Sequence, residues 1–430
     1  MLPINKTNRE YEQLASYGKE NTTILDKLCA LLLALSPLLQ HYIGLYKNAG
    51  FTVLLAAVPI LLFRFVTKLG SGRFSLRNLA AIFPLILFEL YTAVDHSTAI
   101  SRWAYIAFII VVFLCIAGGC INTAYFLKYA MVVVFAATIM LIIQYISFYL
   151  FKYKLDPRPF DLLVEEDSIW EKHLYPGRKG SLYRPAGIFL EPSHLFLYGF
   201  PLLCVFLLSP GMNKWRMKRT IVITAAMLLS TSGFSLVACL GLWALYFLVY
   251  KRNGQDRHMD PRKMFTVRNL MIVFAMILIM VGVYCFIPVF RRSVNRIFTS
   301  TEGTNAVDGR IRRAMNYIKT IQGKAVWFGQ ANVVSTLDFN RAGFFATYIR
   351  WGLIGVLLSY WFYAQGLFIL KKQYFWMSAI ILVISFFTAH THGTFYMLYF
   401  VIFLMNGYYA NGAYRLSFRA GVPLAAELEE

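Results

Sequence analysis

The sequence predicts an all-α, polytopic membrane protein that crosses a bilayer about twelve times and carries two large external loops. Three observations predict it. Of 430 residues, 58% are hydrophobic and only 15% charged, whereas soluble domains carry about 25% charged residues. Apolar runs follow one another from Leu25 to Tyr409, each approaching the roughly 20 residues that a hydrocarbon core of about 30 Å requires. Between these runs the basic residues gather on alternate turns, as cytoplasmic loops should. A single membrane domain over residues 1–430 follows, with no room for a soluble domain of ordinary size.

The first strongly apolar run, Leu28 to Leu39, is preceded by a polar stretch of mixed charge without a small-residue cleavage site, so the N-terminus is expected to be retained and cytoplasmic. The predicted spans are 28–45, 50–67, 78–95, 102–120, 129–151, 187–209, 218–233, 234–250, 269–290, 343–370, 374–389 and 394–411. The even-numbered turns then hold Arg73 and Arg77, Lys128, the group Lys214, Arg216, Lys218 and Arg219, the stretch Lys251 to Lys263, and Lys371 with Lys372. The short odd-numbered turns hold little beyond Lys47, Asp95 and His96, Ser230 to Ser232, and residues 389–393. Arg415 and Arg419 return the C-terminal tail to the inside. Ser230 to Gly233, between the seventh and eighth spans, reads as a surface turn or as an unwound segment within the membrane. The acidic end, Leu424 to Glu430, reads as an appended remnant without a functional role.

Two connections break this alternation, 152–186 and 291–342, both external. Loops of that length in compact proteins are functional or disordered. The second contains Arg291, Arg292, Arg296, Arg310, Arg312, Arg313, Lys319, Lys324 and Arg341 against Glu302, Asp308 and Asp338. Such charge outside the cell opposes the positive-inside tendency, so an anionic ligand is expected; a solvated, lipid-touching loop is the alternative. Within it Arg310 and Arg313, three residues apart, share a helix face that Tyr317 continues. Ile311, Ala314, Met315 and Ile318 form an adjoining apolar face. That pattern fits an amphipathic helix lying over a membrane cavity, or one whose arginines meet lipid phosphates. Tyr153, Trp170, Tyr175 and Tyr183 in or beside the first loop read as sugar-stacking rings or as an interface belt.

The net charge of +21 is explained by cytoplasmic retention and anionic lipids or substrates, and no nucleic acid partner is expected. All six cysteines lie in or at the ends of apolar runs, where a thiol behaves as a small hydrophobe. His390 and His392 are two apart and off a common helix face, and Glu165, Glu166 and Asp167 lack companion histidines, so no metal site is expected. Glu89 and Arg350 fall within predicted spans, where an ionisable group signals a function or a buried partner unless it snorkels to the interface.

The most specific stretch is Arg184-Pro185-Ala186-Gly187-Ile188-Phe189-Leu190-Glu191-Pro192-Ser193-His194. It brings an arginine, a carboxylate, a hydroxyl and an imidazole to one membrane mouth. Pro185 and Pro192 restrict the backbone before them, which puts Glu191 at an irregular or first-turn position. Ser193 and His194 then begin a helix whose N-terminal end favours anions. The run resembles the R-x-x-G-x-F-x-E-P-S-H pattern of the Wzy-type O-antigen and exopolysaccharide polymerases. The S-T-S-G turn at Ser230 to Gly233 and the W-G-L-I-G run at Trp351 to Gly355 resemble two further landmarks of that family, in family order over residues 180–360.

The resemblance implies a GT-C-like membrane architecture shared with the O-antigen ligases. It implies an enzyme at the external face of the bacterial inner membrane that joins oligosaccharide repeat units carried on polyprenyl pyrophosphate. Donor and acceptor lipid-linked oligosaccharides, membrane lipids, and a chain-length regulator and flippase of the same pathway are the implied partners. No cofactor and no metal is implied. The site residues expected on this basis are Arg184, Glu191 and His194 for catalysis, with Arg292, Arg310, Arg313, Arg341, Tyr317 and Ser193 for pyrophosphate and substrate. Arginine suits a departing pyrophosphate because it is always charged and binds phosphate oxygens bidentately.

A general base must lie within hydrogen-bond reach of the acceptor hydroxyl. Glu191 is the first candidate, His194 the next, then Asp338 and His392. Alternatively, Glu191 pairs with an arginine to hold the fold, and arginine contacts to the leaving group supply most of the stabilisation. The ligases show a His-Asn pair ahead of G-x-x-G; counting back from Gly352 and Gly355 puts Arg341 and Ala342 there, which argues against a ligase. A lipid-linked oligosaccharide flippase or exporter is the reading from another class; inverted repeats with paired broken helices would favour it.

Overall fold

Fourteen helices and no β-strand are found among the described residues of the computed structural model. These residues are 23–40, 42–43, 48–70, 76–96, 100–153, 155, 185–189, 191–208, 214–230, 233–247, 267–286, 291, 295, 306–330, 343–370, 373–388 and 394–410. The helices are α1 (Ile24–Leu35), α2 (Ala49–Gly70), α3 (Leu76–His96), α4 (Ile100–Ala117), α5 (Thr123–Phe151), α6 (Pro192–Leu208) and α7 (Lys214–Leu229). They continue with α8 (Gly233–Leu245), α9 (Val267–Phe286), α10 (Ala306–Ile318), α11 (Lys324–Phe328), α12 (Gly343–Ile369), α13 (Gln373–Phe387) and α14 (Thr394–Ala410). A helix occupies each of the twelve predicted apolar stretches, and α10 and α11 lie in the second predicted loop. Helices α2, α5 and α12 are long and apolar enough to cross a membrane. The remaining apolar helices are shorter within the described residues.

Local chemistry sets several boundaries. Thr23 and Asp26 form a capping box that starts α1, satisfying two of the N–H groups a helix start leaves open. Arg64 of α2 pairs with the same Asp26, its Nε 2.6 Å from Oδ1. The first helix stops at Leu35, well short of residue 45. Pro37 has no N–H to give Leu33 C=O, which takes the Ser36 hydroxyl at 3.0 Å instead, and the chain folds back so that Tyr42 C=O accepts the Ala49 N–H at 2.7 Å. In contrast, α5 begins earlier than residue 129, because Asn122 caps it by accepting the Tyr125 N–H at 3.3 Å.

The innermost element is α6. All its residues but Ser193 and Phe206 are buried, and it packs against α5, α7, α8, α13 and α14. A helix apolar on every side is stable only when surrounded in this way. Tyrosine hydroxyls tie it to its neighbours: Tyr198 donates to Ala34 C=O at 2.7 Å, Tyr399 to Tyr198 C=O at 3.0 Å and Tyr396 to His194 C=O at 3.1 Å. In lipid, where apolar surface gives helices little reason to associate, such bonds contribute about 0.6 kcal/mol each.

Among the described residues, one helix is interrupted by a non-helical residue. Gly352 within α12 has φ 63° and ψ −164°, a conformation essentially restricted to glycine. The sequence reading treated 343–370 as one continuous span; the structure divides it there.

Candidate functional site

Gly187 lies against α5, between Ala137 and Gln144. Gly187, at φ +66°, donates its N–H to Gln144 Oε1 at 3.0 Å and accepts from Gln144 Nε2 at 3.1 Å. Gln144 is 1% exposed, so a side-chain amide here replaces the backbone partners that a buried peptide needs. A Cβ on Gly187 would stand 2.5 Å from Ala137 C=O oxygen; only glycine allows this approach. Phe189 N–H bonds Ala186 C=O at 3.1 Å, closing a turn. The Phe189 ring is buried 5.2 Å from Tyr198.

This clamp delivers Glu191 to the start of α6. Its C=O accepts the N–H groups of His194 at 2.9 Å and Leu195 at 3.3 Å, and Pro192 takes the first helical position, where its missing N–H costs nothing. The half-buried Glu191 carboxylate accepts the Ser193 hydroxyl at 2.7 Å. Beneath it His194 is 2% exposed, its ring 5.6 Å from that of Tyr396. Tyr396 also hydrogen-bonds the Gln40 side chain. Four elements therefore meet at this mouth: α5, the start of α6, the turn after α1 and the start of α14. The arrangement places a carboxylate at a helix end that favours negative charge.

A second group forms around the break in α12. Helix α11 and the turn after it dock into it: a Cβ at Gly352 would meet Trp327 C=O oxygen at 2.3 Å, and one at Gly329 would meet Arg350 C=O oxygen at 2.4 Å. The break frees helical carbonyls, and two of them have new donors. Gln330 N–H reaches Ile349 C=O at 2.8 Å, and Tyr91 of α3 donates its hydroxyl to Trp351 C=O at 3.1 Å and Phe328 C=O at 3.0 Å. Irregular backbone at membrane depth is tolerated only with such protein partners. The Arg350 guanidinium lies over the Trp351 ring, 4.7 Å from its centroid, and Phe88 meets that ring edge-on at 5.1 Å. Glu89, one residue on, is buried.

The predicted site residues divide between these groups. Glu191, Ser193 and His194 belong to the first. Arg313 and Tyr317 belong to the second: Arg313 is exposed on α10, and the half-buried Tyr317 donates to Gln330 Oε1 at 2.8 Å. Arg310 lies in α10. Arg184, Arg292 and Arg341, with Asp338 and His392, lie outside the described residues. Of the expected apolar face of α10, Ala314 is buried and Ile318 half-buried, whereas Met315 is 46% exposed; the packed side turns toward α12. Helix α13 packs against both α6 and α12, and α14 against both α6 and α3, so the two groups are linked through them. In the S-T-S-G landmark, Ser230 is a buried turn residue following α7, whose last carbonyl, Leu229, accepts the Tyr145 hydroxyl at 2.6 Å. Thr231 and Ser232 lie outside the described residues.

Sequence reasoning missed Gln144, Tyr396, Tyr91 and the Gly329–Gly352 contact. Gln144 had a readable signal, a lone amide in a long apolar run; the others were indistinguishable from interface aromatics and ordinary helix glycines. No family model and no curated protein matches the chain.

Proposed function

We propose that this chain is a Wzy-type polymerase, spanning the bacterial inner membrane about twelve times with both termini cytoplasmic and both large loops external. In the reaction the acceptor sugar hydroxyl of one lipid-linked oligosaccharide attacks the anomeric carbon of another. A glycosidic C–O bond forms, the bond to pyrophosphate oxygen breaks, and polyprenyl pyrophosphate leaves with the bonding electrons. Glu191 takes the hydroxyl proton. Ser193 holds the carboxylate in position, and His194 and Tyr396 support the start of α6 from below. Arg313 and Arg310 on α10, with Arg184, Arg292 and Arg341, offset the charge that develops on the pyrophosphate.

The observation that carries this reading is the clamped segment ending in Glu191-Pro192-Ser193-His194, which presents a carboxylate at the N-terminus of a buried helix. The break in α12 supports a second reading, since many secondary transporters use discontinuous helices. That reading calls for a matching break in the other half; among the described residues Gly352 alone is non-helical within a helix.

Incubating the purified protein in liposomes with polyprenyl-pyrophosphate-linked repeat units from its own source tests the proposal. A ladder of polymer lengths on a gel is expected. Units recovered unextended in the opposite leaflet would instead establish the exporter.

A further inference from the structure

We propose that the adjoining starts of α1 and α5 form a binding site for the phosphate of an anionic phospholipid. Lys27, in the first turn of α1, places its Nζ 5.2 Å from the centroid of the Tyr125 ring. Lys128, one turn beyond Tyr125 in α5, places its Nζ 5.9 Å from the same centroid. Two ammonium groups from different helices thus converge on one ring. Among the described residues neither has a carboxylate partner: Asp26, beside Lys27 in sequence, is engaged by Arg64 and by its capping box with Thr23. Like-charge repulsion opposes this convergence, and an anion seated between the ammonium groups relieves it. Lysine binds phosphate as such a point charge. Both helices also begin here, and helix starts favour anions.

Depth and exposure point to a lipid as the source of the phosphate. Helix α5 has 29 residues, about 43 Å at 1.5 Å per residue, so both ends extend beyond a core of about 30 Å into the headgroup layers. Lys128, in its second turn, therefore lies at the boundary. On the same face below it, Val132, Phe135 and Ile139 are 56%, 52% and 44% exposed. The spacing of four, seven and eleven residues from Lys128 keeps them in one stripe. Leu28, exposed beside Lys27, continues the apolar surface onto α1. A phosphodiester held by the two lysines thus has a track for its acyl chains. Under the proposed topology this end faces the cytoplasmic leaflet, where basic pockets between helices recognise anionic headgroups. The inference depends on the membrane reading alone, not on the transfer reaction.

The test titrates delipidated protein in neutral detergent with dioleoyl-phosphatidylglycerol and, separately, dioleoyl-phosphatidylcholine, reading bound lipid by native mass spectrometry. Phosphatidylglycerol is expected to occupy a site that phosphatidylcholine does not. Lys27→Gln/Lys128→Gln should weaken that site roughly thirtyfold, the sum of two near-surface lysine contributions. Lys27→Arg/Lys128→Arg should retain it. Lys214→Gln/Lys218→Gln, an equal charge change at another helix start, should leave it intact. Undiminished binding by the double glutamine variant, eluting as a folded monodisperse protein, would overturn the proposal; so would equal loss in the Lys214/Lys218 variant. Displacement of the lipid by millimolar inorganic phosphate would show a free-anion site instead.

Discussion

Glu191 sits where backbone and side chain serve different purposes. Its carbonyl starts α6 by accepting two N–H groups, while its carboxylate, bonded to the Ser193 hydroxyl, stays half-buried at the mouth. Glu191→Gln keeps the size and the helix start but cannot take a proton. Chain growth is expected to fall by about 10²–10⁴-fold, the usual contribution of a positioned base, with thermal stability little changed; initial rates of polymer formation check this. Gln144 acts through geometry. Replacing it by Leu leaves the buried N–H and C=O of Gly187 without their partner, at about 1–3 kcal/mol for each. A lowered melting temperature is expected together with lost chain growth. Gln144→Glu keeps the acceptor for the Gly187 N–H but must bury a charge unless its carboxyl takes up a proton, which also restores a donor to the Gly187 C=O; its melting temperature should therefore drop as pH rises.

At the scale of elements, the broken α12 is held by parts of two others. Tyr91 of α3 and the turn after α11 supply donors to carbonyls that the break exposes, so the break and the loop that docks into it stabilise each other. Gly352→Ala should therefore cost more than a helix glycine ordinarily would. The residue must leave a glycine-only conformation, at about 1–3 kcal/mol, and its Cβ collides with Trp327 backbone. The expected outcome is a lower melting temperature and faster proteolysis between 319 and 342, read by limited digestion and mass spectrometry. Helix α10 packs through Ala314 and leaves Arg313 exposed. Arg313→Ala is accordingly expected to leave melting unchanged and to reduce chain growth tenfold or more, in line with a charge-assisted contact to phosphate.

Across the whole molecule, twelve apolar stretches were legible because hydrophobic runs of membrane length have few competing explanations. Their ends were less so: Pro37 stopped α1 early, and Asn122 started α5 early, each through a local backbone effect that an apolar count ignores. The motif around Glu191 was legible as a set of residue types, and the two prolines indicated an irregular start to α6. What holds the motif could not be read, because Gln144 and Tyr396 are 43 and more than 200 residues away from their partners. The break at Gly352 was hidden for a similar reason: glycine is common in membrane helices, and only the docking of Trp327 and Gly329 reveals this one. The alternation of basic turns remains the basis of the proposed orientation. Single cysteines placed at Lys128 and Lys152 in a cysteine-free background should react with impermeant maleimide from opposite sides of the membrane.

The polymerase account makes a stoichiometric claim, since every glycosidic bond formed must release one polyprenyl pyrophosphate. Proteoliposomes supplied with lipid-linked repeat units should show that ratio as one to one for the wild-type protein, with both products lost together in Glu191→Gln. Translocation of intact units without release of polyprenyl pyrophosphate would contradict it.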